Sequence, residues 1–419
     1  MEPSIPTSPR HAGAGMVTLQ LVVVIPCHDE PDLLVTLDSL WHCRPAACLV
    51  EVVVVINGSE TDPDAVRQRN WQTWVAARDW MAAHQGDDRQ FYLLHEPSLP
   101  ARQAGVGTAR KTGMDWAVTR FAGRWRTEGV IVCLDADCVV ADNYLEALQT
   151  HFAAHPDSPG CAIYFEHPRE NLSPAHRQAI IRYELYLRYY LHGLRWSGFP
   201  HAFHTVGSSM AVRADPYRRQ GGMNRRKAGE DFYFLQKIIP LGHFSDLCTT
   251  TVFPSARLSH RVPFGTGRAM SDGLAGSRDL GLVFAPALFA ALGLLFSRLE
   301  QLHVETVFAG LPPSLHRFLT IQQWPERLAE LRANTATLSA FRKRFFQTFN
   351  GFQILKYIHF AMEQGERQMA VAEAAALLLE RMGLQHDGVE EEQVLLYYRR
   401  LDRQGYWYGG DKPDGCALF

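Results

Sequence analysis

The sequence predicts an α/β fold, a Rossmann-like and mostly parallel sheet with helices on both faces over residues 17–270, followed by a helical C-terminal region over 271–419. Three observations predict it. Nearly all-apolar, β-branched runs alternate with helix-patterned segments from Leu19 to Leu134, as strands buried on both faces require. These runs close on polar groups, at His28-Asp29-Glu30, Asn57-Gly58-Ser59 and Asp135-Ala-Asp137. From about residue 275 the apolar positions follow a helical period.

Leu19–Pro26 reads as the first strand. Asp29-Glu-Pro-Asp32 then opens a helix with a capping residue, an early proline and acids near the positive end of the dipole. Leu33, Leu34, Leu37, Leu40 and Trp41 share one face of it. Leu49–Ile56 is the second strand, closed by the turn signal Asn57-Gly58-Ser59. Val66–Ala83 is helical, Phe91–His95 is a third strand, Gly105–Phe121 contains a helix, and Val130–Leu134 is the fourth strand. Cys161–Phe165 and Thr205–Val212 read as further strands, and Arg182–Leu194 as a tyrosine-rich helix. Phe232–Ile239 is a short helix. The C-terminal part reads as helices over Ser314–Ala333, Leu338–Gln364 and Ala372–Met382.

With 419 residues the chain exceeds one ordinary core, and residues 1–16 read as a disordered tail. A net charge of -2 gives no field to recruit nucleic acid. The eight cysteines form no C-x-x-C pair, so buried free thiols in the reducing cytoplasm are expected and a zinc site is not. Leu280–Phe296 carries no charge but is short for a span and is interrupted by Pro286. It reads as a buried helix or as a shallow peripheral contact at the inner face of the membrane.

In a parallel sheet, ligands bind beyond the carboxyl ends of the strands, so the three polar closures converge on one crevice. Alternation along an extended chain turns Asp135 and Asp137 to the same side. Two hard oxygen ligands there suit Mn²⁺ or Mg²⁺ and the phosphates such an ion bridges. A solvated strand end is the plain alternative for a bare D-x-D motif.

Several ordered blocks resemble the family 2 glycosyltransferases of the GT-A fold over roughly residues 19–265. They are Val23-Val-Ile-Pro-Cys-His-Asp-Glu30, Val52-Val-Val-Val-Ile-Asn-Gly-Ser59, Gly107-Thr-Ala-Arg-Lys-Thr-Gly113, Leu134-Asp-Ala-Asp137, Thr205-Val-Gly-Ser-Ser-Met-Ala-Val-Arg213 and Gly229-Glu-Asp231. The resemblance implies a metal-dependent, inverting transfer of one sugar from a nucleotide-diphospho-sugar, a UDP-sugar being favoured, to an acceptor the sequence does not name. It implies donor contacts from Pro26, His28, Glu30, Asn57, Arg110, Lys111, Asp135 and Arg261. Asp137, Asp135 and His260 would hold the metal. Asp231, with Glu230 beside it, would be the general base. Two departures stand out: Asn57 replaces an acid that reads the base, and Lys111 replaces a family asparagine. An amide both donates and accepts, so it can still read a pyrimidine edge. The Gln-x-x-Arg-Trp signature of processive synthases is missing, which favours single-sugar transfer. Tyr183, Tyr186, Tyr189 and Tyr190 either pack the core or shape an acceptor pocket. A non-catalytic nucleotide-sugar-binding or scaffold protein of the same fold is the alternative reading, and a sugar nucleotidyltransferase a weaker one.

Overall fold

The computed structural model describes residues 19–122, 128–259 and 265–408. Eight strands form one sheet: β1 (Leu19–Cys27), β2 (Leu49–Ser59), β3 (Arg89–Leu99), β4 (Val130–Cys133), β5 (Cys138–Val140), β6 (Gly160–Phe165), β7 (Met210–Arg213) and β8 (Ser245–Pro254). Their order is β3-β2-β1-β4-β7-β6-β8-β5. β3, β2, β1 and β4 run parallel, as do β6 and β8. β7 is antiparallel to β4 and β6, and β5 to β8. The sheet is mostly parallel, as expected.

The helices of the sheet region are α1 (Leu33–Trp41), α2 (Asp64–Ala83), α3 (Val106–Ala122), α4 (Tyr144–Ala154), α5 (Pro174–Trp196), α6 (Ala214–Arg219), α7 (Glu230–Ile238) and α8 (Thr266–Leu274). Beyond them come β9 (Leu282–Phe284), α9 (Ala287–Phe296), α10 (Leu299–Val304), α11 (Pro313–Ile321), α12 (Trp324–Ala333), α13 (Leu338–Thr348) and α14 (Gly351–Glu363). β10 (Gln368–Ala370), α15 (Val371–Arg381) and α16 (Glu391–Arg403) complete the described chain.

The period of two along β1 and β2 divides the core. Val22, Val24, Val53 and Val55 face one side with α3, α5, α7 and the C-terminal helices. Leu21, Val23, Ile25, Val52 and Val54 face the other with α1 and α4. Val52 to Ile56 are without solvent exposure; each such side chain contributes roughly 1.5–3 kcal/mol by leaving water. α3 sits tight on β1 because Gly113 has no side chain: a Cβ there would lie 2.3 Å from Val24 Cγ1. Gly113→Ala is therefore expected to overpack the contact and cost about 1–3 kcal/mol, read as a lower denaturant midpoint at unchanged slope.

The structure corrects several element readings. α1 begins at Leu33 with Asp32 at its N-cap, and Asp29 instead takes a left-handed backbone with φ 53°. The continuous helices expected over Ser314–Ala333 and Leu338–Gln364 are each two. The first breaks at Gln323, φ 56°, just before Pro325 enters the first turn of α12. The second breaks at Asn350, whose side chain accepts from Phe352 N and Gln353 N to start α14. Of Thr205–Val212 only the end is strand, because Thr205–Ser208 lines the cavity described below. Leu280–Phe296 forms β9, which pairs with β10, and α9, whose Leu288, Phe289, Leu292 and Leu295 are buried. Among the described residues no helix is long and apolar enough to cross a membrane. Cys27, Cys43, Cys48, Cys133, Cys138 and Cys161 are buried free thiols.

Candidate active site

β1, β2 and β4 deliver their C-terminal ends to a cavity of about 730 Å³, where chain order reverses around β1 and a parallel sheet opens a crevice. Asp135-Ala-Asp137 is a turn between β4 and β5, not the extended segment expected. Thr36 Oγ1 on α1 donates to Ala136 O at 2.8 Å and pins it. Both carboxylates still face the cavity.

Arg110 is the centre of the site. Its side chain is fully buried on α3, and it donates to Asp135 Oδ1 at 2.6 Å and to Glu230 Oε1 at the start of α7. Gly207 lets the backbone approach the guanidinium, since a Cβ would stand 2.6 Å from Arg110 Nη1. Burial works against this charge, but Asp135 and Glu230 outweigh it and hold the guanidinium protonated. Burial pushes Glu230 up to about 7, with Arg110 opposing and the Asp231 charge adding to the rise. Asp231 is also raised, first by burial, although Arg110 and the N–H of Phe232, 2.7 Å from Oδ1, oppose it. A carboxylate at a helix start is ordinarily a weak base. Here desolvation reverses that tendency and makes the pair better proton acceptors.

Glu30 is buried and grips both Nη atoms of Arg257, whose Nη2 also reaches Asp137 Oδ2 at 3.1 Å. His28 Nε2 lies 3.0 Å from Asp62 Oδ2, which accepts from Ser59 N at 2.8 Å. Buried Asn57 donates through Nδ2 to Gly105 O at 3.0 Å, tying β2 to the loop before α3. Pro26 lines the same cavity. Lys111 does not join it, because its Nζ pairs with Asp115 Oδ2 one turn along α3 at 2.9 Å. His260 and Arg261 lie outside the described residues.

Two contributors escaped the sequence, and Arg257 was legible only as one of three arginines in Ser255–Arg268, a stretch whose arginines, histidine and glycines read as a mobile phosphate-gripping loop. Asp62 follows the turn signal Asn57-Gly58-Ser59 and lines the cavity together with Asn57. His167 lines the cavity with Nδ1 2.9 Å from buried Glu184 Oε2 and Nε2 3.1 Å from Thr266 Oγ1. Burial opposes the Glu184 charge, but Arg188, His167 and Arg399 hold its carboxyl well below the usual range. Arg399 belongs to α16, so the C-terminal helix is bonded to the cavity wall through Glu184.

Asp135 and Asp137 are hard oxygen donors on one turn, the kind of group that holds a divalent cation together with phosphate and water; each is paired here with a guanidinium, Asp135 with Arg110 and Asp137 with Arg257. Among the described residues no group of three His, Cys, Asp or Glu side chains surrounds a metal position.

At this strand-end crevice Asp135 and Glu230 each take one Nη of the buried Arg110 guanidinium. Residues 22–220 match the family model described as Glycosyl transferase family 2. Among solved structures the chain is similar to S. aureus TarS 1-349 in complex with UDP-GlcNAc, at 14% identity and a TM-score of 0.43, over 83% of this chain and 93% of that one. It is also similar to the mannosyltransferase PcManGT from Pyrobaculum calidifontis in complex with GDP-Man and Mn2+, at 15% identity and a TM-score of 0.35, over 92% and 87%. Similarity at that level assigns no ligand or residue role to this chain. No curated protein gives a significant match.

Proposed function

We propose that this chain transfers one sugar, with inversion, from a nucleotide-diphospho-sugar to an acceptor hydroxyl, with Asp231 as general base. The observation that carries the reading is the convergence of Asp135 and Asp137 with Glu230 and Asp231 in one cavity around Arg110. Asp137 and Asp135 would hold Mn²⁺ or Mg²⁺, which when bound supplies Lewis-acid charge to the departing diphosphate. Asp231 takes the proton from the attacking hydroxyl. Glu230 and Asp135 fix Arg110, whose charge keeps both ionised carboxylates tolerable in a desolvated site. His28, Asn57 and Asp62 form the polar end that receives the nucleotide, with a UDP-sugar the favoured donor. We read residues 17–270 as the unit that binds donor and residues 271–419 as the helical unit that closes the acceptor side.

The test is release of nucleoside diphosphate from a panel of nucleotide sugars by the purified chain. Turnover of at least one donor is expected, lost on chelation and restored by Mn²⁺ or Mg²⁺. A folded protein that turns over none of them contradicts the reading. The pH profile has a stated sign. The base must be ionised, and burial raises Asp231 above the ordinary carboxylate range. The logarithm of kcat/KM is therefore expected to rise with pH and level off once Asp231 is ionised.

A further inference from the structure

The donor accounts for only half of the cavity's chemistry. The ends of β1, β2 and β4 supply polar groups, but α5 lines the same cavity with Tyr183, Leu187, Tyr190, Leu191 and Leu194. Their spacing puts them on one face of the helix, and the stripe spans about 16 Å at 1.5 Å per residue. None of the five carries a charge, and Phe203 extends the apolar wall. Polar groups line the cavity as well, His204, Thr205 and Ser208 among them, while His167 has both ring nitrogens engaged by Glu184 and Thr266. A nucleotide-diphospho-sugar is polar along its length and has no use for aliphatic leucines.

We propose that the acceptor presents its reactive hydroxyl on an elongated apolar body that lies along α5, either an alkyl or isoprenoid chain or a flat aromatic skeleton. This rests on reading the cavity as a site of glycosyl transfer. The wall disfavours free sugars and oligosaccharide ends, whose hydroxyls would be desolvated against Leu187 and the edges of Leu191 and Leu194, which are 3% and 5% exposed. It also puts the apolar body in the cavity that holds Asp231, so burial of that body positions the hydroxyl for proton transfer.

The experiment titrates the full chain, in the presence of UDP, with methyl, octyl and 4-nitrophenyl glucosides by calorimetry, the octyl compound kept below its micelle concentration. Donor turnover is followed in parallel. Since each buried methylene tightens binding roughly fourfold, the octyl or the nitrophenyl compound is expected to bind at least about tenfold tighter than the methyl. Preference for octyl identifies an aliphatic acceptor, and preference for nitrophenyl an aromatic one. Leu187→Gln should bring the ratio close to one, and Leu187→Phe, which keeps the wall apolar, should retain it; thermal melting checks the fold of both. Equal affinity for all three compounds overturns the proposal, as does a preference that Leu187→Gln leaves intact. If no donor is turned over, the glycosyl-transfer reading fails and the acceptor assignment falls with it; unselective binding alongside donor turnover removes the acceptor assignment alone.

Discussion

Asp231→Asn is expected to lower kcat by about 10²–10⁴, the range that a positioned general base supplies, while leaving donor affinity unchanged. The amide keeps the size of the side chain and can still accept from the N–H of Phe232, so the fold should survive. What it loses is the ability to accept a proton at neutral pH. Glu230 cannot substitute, because its carboxylate is taken up by the Arg110 guanidinium in a buried contact. Single-turnover kinetics with a saturating donor separate the two effects. A variant with wild-type kcat would place the base elsewhere in the cavity.

Arg110→Met is the second large effect, and it falls on stability. The substitution removes the counter-charge shared by Asp135 and Glu230 and leaves Glu230 buried without a partner. Breaking a buried pair from one side costs about 3–5 kcal/mol, which a denaturant midpoint resolves. The loss has a pH sign. Burial already raises Glu230 to about 7 from 4.5, and without Arg110 it rises further. A carboxyl raised in the folded state contributes stability at pH below its unfolded value, and that contribution is lost as pH rises through its folded value. Arg110→Met should therefore be much less destabilised near pH 5 than near pH 8. Adding Glu230→Gln should recover much of the loss at pH 8. A penalty that does not change with pH would mean that packing around the guanidinium, not charge, holds this region.

The fold was legible where local pattern and burial agree. The β-branched runs of β1, β2 and β4 are buried on both faces, and nothing else in the chain looks like them. The short strands β5 and β8 were not anticipated, because Cys138–Val140 is only three residues long and Ser245–Pro254 mixes threonines with apolar residues. Their pairing is set by tertiary contact. The same holds for α16, whose Arg399 and Asp402 are buried only because Glu184, Arg188 and His192 meet them across the core. A sequence shows charges on a helix but not the opposite charges that will be brought to them. The polar strand ends announced the site's location, and Asp135, Asp137, Glu230 and Asp231 do meet there. Their partners were less visible. Arg257 reaches Glu30 from far along the chain, and Arg110, expected to face the nucleotide or its phosphates, lines the cavity while binding two carboxylates of the protein. Lys111, one residue away, faces outward along α3.

The most direct measurement is proton NMR of the reaction mixture for wild type and Asp231→Asn, following the anomeric signals of donor and product. The account predicts that wild type consumes the donor and yields a product of opposite anomeric configuration, and that Asp231→Asn yields almost none. A product that keeps the donor's configuration, or a folded wild type that leaves every nucleotide sugar intact, would contradict it.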